Sequence, residues 1–142
     1  MPRSTLTRRV LFAAAHRYRR PDWSDERNAD VFGPCANPHF HGHSYTCDVT
    51  VTGPVDPTTG FLVDLGLLDR VLQLEVRDRF DHRNLNLEVP EFADGGLIPT
   101  GENLARLIGE RVQAAIAHTT ARVLRVHLAE DATLSSSYEV DP

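Results

Sequence analysis

The segment from Cys35 to Tyr45 constrains this chain most, because it places one thiol and three imidazoles within eleven residues. His41 and His43 are two positions apart, so in an extended segment both rings project from the same face of a strand. His16 ends an upstream run with apolar residues at alternate positions, which is typical of a neighbouring strand. Three neutral imidazoles with an open fourth position are typical of catalytic zinc. The pattern predicts a zinc enzyme with His16, His41 and His43 as ligands.

Spacing alone does not fix the chemistry of this segment. A histidine pair two positions apart also arises by chance in a chain with seven histidines. Cys35 could itself bind zinc. Pro38 and the five residues between Cys35 and His41 instead indicate a loop, and a loop thiol beside a cation suits a base or nucleophile. Cys47 lies in an alternating strand, where we expect a buried small hydrophobe.

Length and charge limit the classes of protein to consider. A chain of 142 residues fits one domain, residues 1–142, with a moderate core. No apolar run reaches transmembrane length and the N-terminus lacks a secretory signal, so we expect a cytoplasmic protein without a membrane partner. The net charge of -5 argues against nucleic acid as a partner.

The first twenty residues contain six arginines and no acidic residue. Guanidinium groups pair well with phosphate, so this region predicts a positive rim for an anionic substrate. For any single arginine, a solvated face accounts for the charge equally well.

Hydrophobic periodicity predicts an α+β fold. A three-to-four-residue period predicts two helices, one over residues 65–79 and one beginning after Thr100, with Asp64 and Thr100 as N-caps. Alternation predicts strands over residues 6–16, 43–52, 122–128 and 134–140. Because the helices lie between two strand pairs, we expect a four-stranded antiparallel sheet with both helices on one face. Its two open edges predict an oligomer.

Three segments give weaker signals. One short helical turn is expected near Asp25 to Val31, within a long polar loop. Residues 61–63 favour a short extra strand. Residues 83–99 are expected to be irregular because they contain two prolines and two glycines.

The chain resembles the 6-pyruvoyltetrahydropterin synthase family, which also includes the bacterial 6-carboxytetrahydropterin synthases of the queuosine pathway. The resemblance runs almost end to end through Phe-Ala-Ala-Ala-His (12–16), Ser-Asp-Glu (24–26), Phe-Gly-Pro-Cys-Ala-Asn-Pro-His-Phe-His-Gly-His-Ser-Tyr (32–45), Asp-Pro-Thr-Thr-Gly (56–60), Asp-Leu (64–65), Asp-His-Arg-Asn-Leu-Asn (81–86), Pro-Thr-Gly-Glu-Asn (99–103), and Glu130 with Tyr138. It implies the tunnelling fold (T-fold), in which subunits pair edge to edge into a barrel. Two trimers then stack as a homohexamer with active sites at subunit interfaces.

The resemblance also implies residue roles. The matching zinc ligands are His16, His41 and His43. Cys35 matches the general base, and Asp81 and His82 complete a relay with it. Glu130 anchors the pterin, with Thr100 and Glu102 as further substrate-binding residues. These roles imply a zinc-dependent lyase that converts 7,8-dihydroneopterin triphosphate to 6-pyruvoyltetrahydropterin with loss of triphosphate.

The same motifs also rank the alternative functions. The five-residue gap between Cys35 and His41 resembles the pyruvoyl-forming branch, and 6-carboxy-5,6,7,8-tetrahydropterin synthase is the runner-up. Gly101 and Asp131 depart from the family pattern. These departures affect the expected substrate affinity or product more than the class of enzyme. A carbonic anhydrase-like zinc enzyme would share the histidines but has no use for Cys35 or Glu130. A non-catalytic pterin-binding module would have a closed zinc site.

Overall fold

The computed structural model describes residues 2–141, which form one sheet covered on one face by helices. The strands are β1 (Ser4–His16), β2 (His41–Gly53), β3 (Arg83–Asn84), β4 (Arg122–Ala129) and β5 (Ser135–Glu139), in the order β3-β1-β2-β4-β5. The helices are α1 (Asp25–Phe32), α2 (Leu65–Leu72), α3 (Asp78–Phe80), α4 (Leu85–Glu88) and α5 (Gly101–Ile116). The predicted α+β class is confirmed. Within the described chain, every helix is too short or too polar to cross a membrane.

Strands β1 and β2 form the centre of the sheet. Each has 13 residues, and every residue of β1 has an antiparallel partner on β2. Alternate side chains of β1, from Val10 to His16, are buried toward the helices, as are Tyr45 and Cys47 of β2. The register places His16 opposite His41 and Ala14 opposite His43. The end of the sheet that carries the histidines is therefore fixed by a continuous ladder.

The two long helices begin at the predicted caps. The Asp64 carboxylate accepts from the backbone N–H of Gly66, and the Thr100 hydroxyl accepts from Asn103 N. The predicted helix over residues 65–79 is present as α2 and α3, joined by a π turn at Gln73–Arg77. The predicted stripe of α5 is completely buried at Leu104, Ile108, Val112 and Ile116.

The sheet also contains a fifth strand that periodicity did not predict. Strand β3 pairs in parallel with Ala14 and Ala15 of β1, so the sheet is mixed. The segment 83–99 is correspondingly more ordered than expected, since it also contains α4 and a 3-10 turn at Pro90–Phe92. The short strand expected at residues 61–63 is wrong, because this segment forms a bend without ladder partners.

The long polar loop after β1 is also more regular than expected. Helix α1 extends to Phe32, past the single turn predicted, and the Ser24 hydroxyl caps it by accepting from Arg27 N. Buried Asn28 ties the helix to the preceding loop, where its side chain accepts from Arg20 N and donates to the Arg20 carbonyl. A 3-10 turn at Gly33–Ala36 follows and carries Cys35. The loop therefore holds this thiol in a defined position.

Candidate metal centre and active site

Three histidines converge at the end of the β1–β2 ladder. The ring centroids of His16 and His41 are 4.6 Å apart, those of His16 and His43 are 5.1 Å apart, and those of His41 and His43 are 5.0 Å apart. One ring nitrogen from each residue lies within 4.8 Å of the other two. The structure thus brings together the three side chains predicted as metal ligands.

The surroundings of His16 prepare it to bind a cation. Its Nδ1 lies 2.8 Å from the carbonyl oxygen of Pro99, which can only accept, so we assign the ring proton to Nδ1. The lone pair then lies on Nε2, a buried atom without a hydrogen-bond partner among the described residues. Burial, followed by the neighbouring His41 and His43, lowers the pKa of His16 to about 4. The ring is therefore neutral near pH 7.

The donor set fits a divalent metal ion. A buried nitrogen lone pair without a partner costs free energy, and a bound cation removes this cost. The backbone carbonyl at Nδ1 is the kind of outer partner that orients metal-binding histidines. Burial also lowers the pKa of His41, so a second ring favours its neutral form. His16, His41 and His43 could therefore hold such an ion.

A buried carboxylate faces this cluster. Glu130 follows β4 directly and is 3% exposed. Its Oε1 lies 3.7 Å from Nε2 of His16 and accepts from the Tyr18 hydroxyl at 3.4 Å. Burial raises the pKa of Glu130, while the nearby His43 and the Tyr18 hydroxyl oppose that rise. The carboxylate keeps most of its accepting capacity free for a ligand.

Sequence reasoning missed Tyr18. Its ring packs edge-on against His16, with centroids 5.1 Å apart, and its backbone N–H donates to the Cys35 carbonyl at 2.8 Å. Burial raises the pKa of Tyr18, so its hydroxyl stays protonated and donates to Glu130. The sequence feature that could have identified Tyr18 is its position two residues after His16, on the same face of the extended chain.

Cys35 is half-buried in the 3-10 turn beside Tyr18. Within residues 2–141, the group of converging ligand atoms includes the three histidines but not the Cys35 sulfur. Burial, then the charge of Glu130, raises the pKa of the Cys35 thiol. In the metal-free chain this thiol is therefore protonated at neutral pH.

Asp81 and His82 form an oriented pair beside strand β1. The Asp81 carboxylate accepts from the backbone N–H of Ala13 at 2.9 Å, from Arg77 at 3.0 Å, and lies 3.1 Å from Nδ1 of His82. The Ala13 bond is the largest of several effects that lower the pKa of Asp81. The His82 side chain is 84% exposed and borders a cavity together with Gly42. Within residues 2–141, neither member of this pair makes a hydrogen bond to Cys35.

The start of α5 lies beside Glu130. The Thr100 hydroxyl is engaged as the helix cap, and Glu102 accepts from the Ser136 hydroxyl at 3.1 Å. A Cβ at Gly101 would lie 2.7 Å from Ser136 Oγ and 3.6 Å from Glu130 Oε2. The absence of a side chain at Gly101 thus lets the helix approach the carboxylate closely.

Most of the predicted arginine rim is neutralised within the chain. Ion pairs join Arg8 to Asp69, Arg9 to Asp48 and Arg20 to Asp22. Two other arginines line a cavity of about 660 Å³ beside the Pro34–His39 segment. Of these, Arg19 pairs with Asp25, whereas the Arg17 guanidinium lies over the Phe40 ring with no carboxylate within 4.0 Å among residues 2–141.

A helix-covered sheet with three converging histidines defines this chain as an α+β protein with a candidate metal site. The chain belongs to the 6-pyruvoyl tetrahydropterin synthase family, whose profile matches residues 5–141. It is 40% identical over 111 residues to human 6-pyruvoyl tetrahydrobiopterin synthase, covering 78% of this chain and 75% of the human protein.

Two further relatives are informative, one for its fold and one for a related activity. The structure of 6-pyruvoyl tetrahydropterin synthase from Caenorhabditis elegans superposes with a TM-score of 0.90 at 33% identity, covering 99% of this chain and 98% of that chain. A 6-carboxy-5,6,7,8-tetrahydropterin synthase from Bacillus subtilis is 36% identical over 84 residues, or 58% of this chain and 53% of the relative.

Proposed function

We propose that this protein is a zinc-dependent lyase that converts 7,8-dihydroneopterin triphosphate to 6-pyruvoyltetrahydropterin and releases triphosphate. The observation that carries the proposal is the convergence of three histidines, including the unpaired Nε2 of His16, beside the buried carboxylate of Glu130. Similarity to the human synthase over 78% of this chain supports the substrate class.

His16, His41 and His43 would hold the zinc ion. Zinc is the metal most often bound by three histidines with an open fourth position, and when bound it supplies positive charge that favours ionised oxygens on the substrate. The Pro99 carbonyl fixes the ring of His16, so this ligand needs little reorganisation.

Cys35 is proposed as the general base that removes a carbon-bound proton. Burial and Glu130 keep its pKa high without metal. A cation at the three histidines acts in the opposite direction and favours the thiolate. The thiolate, which is the form able to accept a proton, would then be populated when the site is loaded.

Glu130 is proposed to anchor the pterin ring. A carboxylate offers two oxygens, which match an exocyclic amino group and an adjacent ring N–H. A ring without those donors would leave the buried carboxylate unpaired, so the contact also provides specificity. Thr100 and Glu102 lie at the adjoining start of α5 and are proposed as secondary contacts.

The relay is proposed to form between two copies of the chain. Asp81 orients His82, but the His82 side chain is largely exposed within one chain. Strand β5 has a partner on one side only among the described residues, so the sheet has an edge available for pairing. We propose a homohexamer, a dimer of trimers, in which His82 of one copy serves Cys35 of another.

The proposed reaction needs no external redox cofactor. Protons move along the substrate side chain, which is oxidised while the pterin ring is reduced, and the triphosphate leaves with its bonding electron pair. Arg17 is the candidate for contact with that anion, because it lines the cavity without a carboxylate partner among residues 2–141, whereas Arg8, Arg9, Arg19 and Arg20 already pair with aspartates.

The deciding experiment identifies the products formed by the zinc-loaded protein from 7,8-dihydroneopterin triphosphate. We expect 6-pyruvoyltetrahydropterin and triphosphate, with no product from the Cys35→Ala variant. Free acetaldehyde would instead assign the 6-carboxy route. If neither pterin product forms, the proposed reaction is wrong. Hydration of carbon dioxide retained in Cys35→Ala would favour the carbonic anhydrase-like alternative.

A further inference from the structure

Tyr18 provides the one side-chain hydrogen bond that the structure gives to Glu130 within residues 2–141. Its hydroxyl lies 3.4 Å from Glu130 Oε1, the same oxygen that faces His16. The neighbouring Ser136 hydroxyl is directed to Glu102 instead. The direction of the Glu130 carboxylate therefore depends on Tyr18.

Glu130 lies beside the histidine cluster but outside the group of converging ligand atoms, so its carboxylate would have to move to become a fourth protein ligand. Its Oε1 is 3.7 Å from Nε2 of His16. Two ligands that each lie about 2.0 Å from a tetrahedral zinc ion are about 3.3 Å apart, so the separation between Glu130 Oε1 and His16 Nε2 is already close to that between two ligands. Four protein ligands are typical of a closed structural site, whereas a catalytic site keeps one position open. For the site to stay open, another residue must hold the Glu130 carboxylate away from the ion.

Tyr18 is rigid enough to do so. Its ring is fixed by edge contacts with His16 at 5.1 Å and with Phe32 at 5.9 Å between centroids. Its backbone N–H is bonded to the Cys35 carbonyl. These contacts do not involve the hydroxyl, so Tyr18→Phe removes one hydrogen bond and leaves the ring supported on both sides.

We propose that Tyr18 is a positioning residue whose hydroxyl holds the Glu130 carboxylate off the metal ion bound by His16, His41 and His43. The open coordination position is then kept for substrate oxygens, and Glu130 stays directed at the pterin. The inference rests on the metal site of the proposed function and does not depend on the pterin reaction.

Cobalt-loaded protein tests the inference without substrate. Imidazole, a neutral fourth ligand, is titrated into the cobalt-substituted full chain, and its dissociation constant is read from the visible spectrum of the metal. We expect Tyr18→Phe to bind imidazole about tenfold more weakly, because a hydrogen bond to a charged group no longer competes with coordination by Glu130. The double variant Tyr18→Phe with Glu130→Gln should return to within about twofold of the wild type.

Two single variants complete the test. Tyr45→Phe removes a hydroxyl that lies 3.2 Å from Nδ1 of His16 and should leave imidazole affinity within about twofold. Glu130→Gln alone should also change it less than about twofold, because the carboxylate is already held off the metal in the wild type. A tenfold gain in Glu130→Gln overturns the inference even if Tyr18→Phe does not fold. Unchanged affinity in Tyr18→Phe overturns it as well.

The absence of metal binding can be distinguished from a result that overturns only the role of Tyr18. A wild-type chain that takes up no cobalt overturns both. A chain that binds cobalt and follows the expected imidazole pattern supports the role of Tyr18 even if no pterin product forms.

Discussion

The Nε2 atom of His16 lies 3.7 Å from the Oε1 atom of Glu130, and no hydrogen bond joins them. Both residues are almost completely buried, so water does not solvate the facing lone pairs. Two electron-rich atoms in this arrangement are unfavourable unless positive charge lies nearby. The free energy of this site in the folded chain therefore depends on a cation bound to the histidines.

Metal binding should depend on His16. We expect His16→Ala to lower zinc bound per chain from about one to less than about 0.1 after gel filtration, because only two ligands remain. Metal content measured by plasma emission spectroscopy tests this. His118→Ala, which changes an exposed histidine beyond α5, is the matched control and should retain the metal. Equal zinc content in the two variants would contradict the assigned ligands.

The two cysteines should have opposite roles. We expect Cys35→Ala to lower kcat by about 100-fold or more while zinc content and melting temperature stay near wild type. Cys47 is completely buried in the core, so Cys47→Ala should instead destabilise the fold by about 1 kcal/mol and retain kcat. Urea unfolding and product formation measured on both variants separate these effects. A stable, fully active Cys35→Ala enzyme would remove Cys35 from the proposed mechanism.

Activity should reappear when two inactive variants are mixed. If His82 of one copy serves Cys35 of another, sites formed in mixed assemblies of Cys35→Ala and His82→Ala contain both wild-type groups about one time in four. We therefore expect about a quarter of wild-type activity after the chains are unfolded together and refolded. Mixing without unfolding is the control. Persistent inactivity of assembled mixtures would place the relay within one chain or exclude it.

Stability of the metal-free protein should fall below about pH 6.5. The pKa of His16 is about 4 in the folded chain and 6.5 in a model peptide, so between these values the unfolded chain binds more protons. Unfolding free energy then decreases as the pH falls, by about 2 kcal/mol between pH 7 and pH 5 from this group, and the dependence on pH disappears well above pH 6.5.

Urea unfolding at pH 7 and pH 5, with a chelator present, measures this difference. His16→Gln is the control, because its side chain does not titrate, and its loss of stability should be about 2 kcal/mol smaller than that of the wild type. An identical loss in both proteins would show that His16 is not kept neutral by its surroundings.

Much of this architecture could be predicted from local pattern. Period-two alternation placed His16, His41 and His43 on the core face, and the antiparallel register between β1 and β2 then brought them together. Capping chemistry at Asp64 and Thr100 located the starts of the two long helices.

Other features depend on contacts that sequence spacing does not reveal. Strand β3 has two residues, too few for any alternation, and is fixed by pairing with β1. The bond between Tyr18 and Glu130 joins residues 112 positions apart. Asp81 and His82 are adjacent in sequence, but the exposure of the His82 side chain follows only from the folded chain.

In the proposed site, three imidazoles hold the metal while the Cys35 sulfur stays free. X-ray absorption at the zinc edge of the zinc-loaded protein tests it most directly. We predict three imidazole nitrogens and one oxygen donor at about 2.0 Å from zinc, with no sulfur scatterer. A sulfur shell at about 2.3 Å would make Cys35 a ligand and contradict its role as the base.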